Sequence, residues 1–322
     1  MSSTDLDEPV LTDEDKRYFL FPLKYPEVYN HYKVHVSTFW TVEEVDLARD
    51  HLAFAKLDKG TQTFIKMTLA FFSQADAVVM QNINDNFAEE LKPLEHRLFL
   101  SMQLFIEGVH SEMYAQLLQT IVKDDAERTR LIHGVTSYPC LAAKHAWVCG
   151  YMGRARPFAS RLLAFTILEG VFFSSAFCSI YYLKKKNVEM PGLISSNEFI
   201  SRDEGLHRDF GVMVYNQLKN KLPETEVHMM MRSALSIERR CIEDALPVAL
   251  IGMNADTMHQ YVQFVADGLL EALGYNKIWN STCPFPFMNL ISMQRKTNFF
   301  ETRVSEYARA DLDFKFCMDE DF

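Results

Sequence analysis

The chain has 322 residues, 48% of them hydrophobic, with only 12 glycines and 11 prolines and a formal net charge of −10. That length and apolar share suit one large buried core, and so few Gly and Pro favour long helices over many tight turns. The acidic balance excludes nucleic acid as a main partner, because phosphate binding needs a basic patch, and six cysteines without a C-x-x-C spacing or a preceding secretory leader read as reduced thiols in a cytoplasmic protein.

Residues 1–16 are polar and acidic and are expected to be mobile, with order beginning near FLFPLKYPEVY and a single helical domain over 17–290. Thr41 and Glu44 have capping-box spacing, which predicts a helix start there and a helix running through VDLARDHLAFAKL. Further helices are predicted over about 60–87, 93–122, 124–134, 139–152, 157–187, 195–220, 225–252 and 255–273. Prolines at 93, 139, 157, 191 and 223 fall at their boundaries, and Pro247 should bend or end the helix that contains it. Strand alternation never persists. Beyond Tyr275 the pattern weakens, and 291–322 read as a flexible tail.

The stretch Leu162–Leu183 is long enough to span a bilayer and is followed by three lysines. Its middle carries Glu169, and Ser174, Ser175 and Ser179 add further polar groups, which is costly in lipid. No second stretch of this kind accompanies it, so it is expected at the centre of a soluble bundle.

Three other predicted helices also carry acidic side chains in apolar or amphipathic surroundings. Asp76 lies in TLAFFSQADAVVMQNI, and two Glu-x-x-His pairs, Glu107 with His110 and Glu204 with His207, lie in LSMQLFIEGVHSEMYAQLL and LISSNEFISRDEGLHRDFG. Residues i and i+3 share a helix face, so each pair can offer a carboxylate and an imidazole to one ion. The spacing alone is weak, since chance supplies about one such pair in a chain with ten histidines. Context is stronger, because burying an ionised carboxylate costs several kcal/mol unless a cation or hydrogen bonds compensate it. Six ligands in the order carboxylate, pair, carboxylate, pair describe a dinuclear metal site in a four-helix core. Asp76 and His110 would serve one ion, Glu169 and His207 the other, and Glu107 and Glu204 would bridge.

Carboxylate-rich ligation with one imidazole per metal suits iron or manganese and leaves positions for O2, so oxygen activation is the implied chemistry. Tyr114 follows His110 by one turn on the same face and could persist there as a phenoxyl radical. Phe173 and Phe177, four and eight positions after Glu169, are core residues that would also keep water from such a radical.

The stretches STFWTVEEVDL, IEGVHSEMYAQLL, LEGVFFSSAF, LKKKNVEMPGLISSNEFISRDEGLHRDF and RVSEYA resemble the small, radical-generating subunit of class I ribonucleotide reductase, particularly its eukaryotic and viral type. The resemblance spans most of the chain. It implies an all-α, ferritin-like bundle with a four-helix di-metal core plus additional helices, two iron ions per chain with manganese possible, and a stable radical on Tyr114. It also implies a transfer route from Tyr114 past His110 and Asp203 to Trp40, leaving through Tyr307. Without the resemblance, Trp40 reads as a hydrophobic staple and Asp203 as a surface charge. The tail DLDFKFCMDEDF, ending in Phe322, would dock on the large catalytic subunit, and the chain would form a homodimer without nucleic-acid or membrane partners. The residues before the terminal Asp-Phe depart from the family's usual tail. A di-iron oxygenase, a ferritin-like storage protein and a metal-free helical scaffold are the rival classes.

Overall fold

The computed structural model describes residues 5–12, 18–245 and 253–288, which fall into one unit running to Pro284 and the start of a second from Phe285. Pro247 and the whole of the expected tail, 291–322, with Tyr307 and Phe322, lie outside the described residues.

Among the described residues all regular structure is helical. In chain order the helices are α1 (Pro26–Ser37), α2 (Asp50–Ala55), α3 (Lys59–Asn82), α4 (Ala88–Glu90), α5 (Leu94–Ile121), α6 (Asp125–Ile132) and α7 (Gly134–Ser137). They continue as α8 (Pro139–Met152), α9 (Phe158–Ile167), α10 (Ser174–Lys185), α11 (Pro191–Gln217), α12 (Glu224–Ala245) and α13 (Ala255–Ala272). Local chemistry fixes many of the starts. Asp58 accepts from the Thr61 N–H to cap α3, Asp124 accepts from the Glu127 N–H to cap α6, and Pro26, Pro139 and Pro191 occupy first-turn positions that need no donor.

The central bundle is α3, α5, the α9–α10 run and α11. Helix α3 packs on α5 and α9 packs on α11, while α1 lies across both α5 and α11. Two interruptions in these helices are single π turns. One, Ile83–Phe87, ends α3; the other, Leu168–Phe172, joins α9 to α10 and carries Glu169. An extra residue in a turn re-aims the side chains that follow it, and such turns are frequent at functional sites. Phe158–Lys185 is apolar enough to cross a bilayer, but 89% of its most apolar window is buried in the protein, as expected.

The structure departs from the sequence reading in three places. The helix expected from Thr41 through VDLARDHLAFAKL is broken in two: a 3₁₀ turn, Val42–Glu44, is followed by extended Val45 and a local turn in which Asp46 accepts from the Ala48 N–H, and helix resumes only as α2 at Asp50–Ala55. Helix α1 was not foreseen, because its apolar positions form no clear stripe. Residues 5–12, within the stretch expected to be mobile, are docked. Asp5 accepts from the Phe158 N–H at the start of α9, Glu8 accepts from the Lys219 and Asn220 N–H groups, and Val10 is fully buried.

Candidate metal centre

Four elements deliver the charged core. Asp76 comes from α3, Glu107 and His110 from α5, Glu169 from the π turn, and Glu204 and His207 from α11. All six are buried, none more than 3% exposed. They fall into two groups that could each hold an ion: Asp76, Glu107 and His110, and Glu107, Glu169, Glu204 and His207, with donor atoms in each group within 4.8 Å of one another.

Both imidazoles turn Nδ1 toward the carboxylates. His110 Nδ1 lies 3.6 Å from Glu107 Oε2, 3.2 Å from Glu204 Oε1 and 3.9 Å from Asp76 Oδ2. His207 Nδ1 lies 3.1 Å from Glu107 Oε1 and 3.3 Å from Glu204 Oε2. Glu107 and Glu204 therefore each present one oxygen to each imidazole, the disposition a bridging carboxylate needs.

The donors fit a cation better than they fit one another. Both oxygens of Asp76, and Glu107 Oε2, Glu169 Oε2 and Glu204 Oε1, are buried without any hydrogen-bond partner. An unsatisfied buried carboxylate oxygen is expensive, and hard oxygen donors beside imidazole suit divalent iron or manganese. The titration behaviour agrees. Burial, then Glu107 and Glu204, raise Asp76 well above the ordinary carboxylate value; burial and Glu204 do the same to Glu169. Burial also opposes charge on Glu204 and His207, yet their mutual attraction holds Glu204 below the usual range and, with Glu107, lifts His207 to about 9. Protons here supply positive charge that a metal ion would supply instead.

On the outer side of His110, Nε2 lies 3.1 Å from Asp203 Oδ2, and the Trp40 indole donates to that same oxygen at 2.8 Å. Trp40 and His110 rings stack with centroids 6.0 Å apart. Burial opposes ionisation of Asp203, but His110 and then Arg202 hold it below its ordinary value, so it stays an anionic acceptor for both neighbours.

One turn beyond His110, Tyr114 is 2% exposed, and its hydroxyl has no hydrogen-bond partner. Burial, then Asp76, Glu204 and Glu107, push its phenol well above the ordinary value, so it is held as a neutral phenol. Phe72 stacks on it at 5.0 Å, and Phe173 and Phe177 pack on Phe72 at 5.5 and 5.0 Å.

Comparison with known proteins settles what this arrangement belongs to. The family model for the ribonucleotide reductase small chain matches residues 17–284. The chain belongs to that family. It is 47% identical over 309 residues to the ribonucleoside-diphosphate reductase small chain of Trypanosoma brucei brucei, covering 96% of this chain and 91% of the relative. It is 45% identical to the small chain of Nicotiana tabacum, over 98% of each. The ribonucleotide reductase Rnr4 homodimer from Saccharomyces cerevisiae superposes with a TM-score of 0.79 at 30% identity, covering 92% of this chain and 93% of that one. The fold is thus the ferritin-like helical fold expected, and the chain is a subunit of an oxidoreductase.

The six carboxylate and imidazole positions chosen from sequence converge, and Trp40 and Asp203 adjoin them. Tyr114 stands beside the same carboxylates. Phe173 and Phe177 reach it through Phe72, which the sequence reading passed over although it precedes Asp76 by one turn. Gln103 was missed as well: one turn before Glu107, its amide donates to Glu169 Oε1 at 3.0 Å and to Glu107 Oε1 at 3.4 Å. A neutral residue in an amphipathic helix gives no sign of such a role except its spacing.

Proposed function

We propose that this chain is the radical-generating small subunit of a class I ribonucleotide reductase. It would hold two iron ions, manganese being an alternative for the same donors, and use O2 to form a stable tyrosyl radical on Tyr114 that starts nucleotide reduction in a separate large subunit. The observation that carries this reading is the pairing of two imidazole–carboxylate groups through shared Glu107 with a buried phenol whose hydroxyl has no partner.

When bound, the metal pair with O2 supplies the oxidising equivalent that removes one electron and one proton from the phenol. The protein does the rest. Asp76, Glu107, His110, Glu169, Glu204 and His207 hold the ions, and Gln103 orients two of the carboxylates. Phe72, Phe173 and Phe177 exclude water and reductants from the phenoxyl oxygen. Asp203 takes hydrogen bonds from both the indole and the imidazole, and moving the indole proton to its carboxylate as Trp40 gives up an electron, then returning it on reduction, avoids leaving a charge stranded in the core. Tyr307 and the tail ending in Phe322 would continue the route and dock on the large subunit. A homodimer is proposed from the relatives, and a cytoplasmic location from the free thiols of Cys140, Cys149, Cys178, Cys241 and Cys283.

Reconstitution of metal-free protein with ferrous iron and O2 tests the reading. A sharp tyrosyl signal in electron paramagnetic resonance that vanishes in Tyr114→Phe is expected, whereas a coupled-metal spectrum with no organic radical would instead mark an oxygenase.

A further inference from the structure

His35 stands in the last turn of α1 and is 1% exposed, yet neither of its ring nitrogens has a hydrogen-bond partner. Its ring meets the ring of His207 edge to face, with centroids 5.0 Å apart and planes at 65°. His207 spends Nδ1 on Glu107 and Glu204, and its Nε2 is also buried without a partner. Three orphan nitrogens thus collect at one contact between α1 and α11.

The other imidazole of the cluster is treated differently. His110 likewise turns Nδ1 inward, and its Nε2 meets the carboxylate of Asp203. An imidazole that ligates a cation through Nδ1 carries its proton on Nε2, and that N–H needs an acceptor to fix the ring and the tautomer. For His207 the nearest ring that can supply one is His35, which in neutral form offers one lone-pair nitrogen. The backbone keeps it there. His31, one turn earlier on α1, bonds through Nε2 to the carbonyl of Leu206 at 2.8 Å and stacks on Phe99 at 5.1 Å, so α1 is pinned to the residue next to His207.

We propose that His35 is the positioning residue of His207: one of its ring nitrogens accepts the His207 Nε2–H, directly or through one buried water, after rotation about the Cβ–Cγ bond. The inference rests on the metal-binding reading above. It makes the two ion positions chemically unequal, because His110 is backed by an anion and His207 by a neutral ring. A carboxylate behind an imidazole strengthens it as a donor more than a neutral acceptor does. Loss of the acceptor behind His207 should therefore loosen one ion and spare the other.

The test is anaerobic titration of the metal-free full-length protein with Mn(II), counting bound ions by loss of the free-ion paramagnetic signal. Wild type should take two ions. His35→Leu, which keeps an apolar side chain of similar bulk, should weaken one of the two by roughly ten- to a hundredfold. His35→Gln, whose amide oxygen can accept the same proton, should restore most of that loss, which a merely structural role would not explain. Two unchanged sites in His35→Leu would overturn the proposal, as would equal weakening of both sites without rescue by Gln. Failure of the wild type itself to bind Mn(II) or Fe(II) would remove the metal reading, and this inference with it. Should His35→Leu not fold, a crystal structure of the metal-loaded wild type decides: a His35 nitrogen within about 3.2 Å of His207 Nε2, or one water shared by both, supports the assignment, and any other acceptor on Nε2 refutes it.

Discussion

The indole of Trp40 donates a 2.8 Å hydrogen bond to Asp203, 163 positions away, and both partners are buried. The bond joins the loop after α1 to the helix that carries Glu204 and His207. Replacing Trp40 by Phe keeps the ring packed but leaves Asp203 with one acceptor site unfilled, costing about 1–3 kcal/mol. Under the proposed function the same change breaks the exit route without touching the phenol. Trp40→Phe should form the Tyr114 radical normally and lose reductase turnover with the large subunit by at least ~100-fold, the low end for a misplaced proton-transfer group. Paired radical quantification and turnover assays check this; unimpaired turnover would refute the route.

Tyr114 gives a prediction in which stability and function move apart. Its hydroxyl is buried without a partner, so the fold gains nothing from it. Tyr114→Phe removes an unsatisfied polar group at almost constant shape, and the expected change in stability is between zero and a gain of about 1 kcal/mol. Metal content should stay at the wild-type level while the radical disappears. Thermal melts and iron analysis alongside paramagnetic resonance read all three quantities, and a strongly destabilised variant would mean the hydroxyl has a structural partner.

The helices that carry the buried carboxylates were legible because their charges contradict their surroundings. Asp76, Glu107 and Glu169 lie in segments whose other residues belong in a core, and a carboxylate there demands a reason that spacing then supplies. Gln103, Phe72 and His35 carry no such contradiction, and only tertiary contact reveals what each touches. Two local features defeated the helix boundaries for different reasons. The capping box at Thr41 is formed, as Glu44 accepts from the Thr41 N–H, but the turn it starts is not propagated past Val45. The π turn at Leu168–Phe172 leaves the apolar pattern helical on both sides, so 157–187 read as one uninterrupted element although Glu169 owes its direction to the insertion.

Phe72 rather than Phe173 is the ring in direct contact with the phenol, and Phe173 supports it from behind. A polar replacement at either position should admit water and shorten the life of the radical, with the larger effect at Phe72. Phe72→Leu is the cleaner variant, since truncation to Ala at so buried a site would cost about 3–5 kcal/mol and confuse decay with unfolding. Decay of the tyrosyl signal over time should be faster in Phe72→Leu than in Phe173→Leu, and both faster than wild type. Equal lifetimes in all three would show that the aromatic wall does not protect the radical.

Under the proposed function the acidic, aromatic tail is the segment that docks on the large subunit. Removing the last seven residues, which include Phe322, should abolish reductase activity and leave iron content and the radical untouched. Loss of the radical on truncation would contradict this separation of roles.

The metal-free centre should make stability fall as the solution becomes alkaline. His207 is raised from its ordinary 6.5 to about 9, so its contribution is complete below about pH 6.5 and is lost as the pH climbs through 9. His110 is displaced in the same direction. Asp76 and Glu169 are also raised, which means the folded chain holds protons that the unfolded chain has already released; their ionisation adds to the loss. Glu204 is shifted down, and its favourable contribution is already complete above its ordinary 4.5, so it is constant across the window. Burial shifts His31, His35, His96 and His259 the other way, which adds stability as the pH rises through about 6.5 and is complete above it, so from about pH 7.5 upward the folded state binds more protons than the unfolded one and linkage requires stability to decline with pH. For His207 alone the change from pH 6.5 to 9 is on the order of 3 kcal/mol. A bound divalent ion replaces those protons and ties neutral imidazole and ionised carboxylate to the native state, so saturating Fe(II) or Mn(II) should flatten the profile and raise the melting temperature most at high pH. Melting curves of the metal-free and loaded protein between pH 6 and 9 measure the difference, and parallel profiles would show that the six side chains do not share a cation.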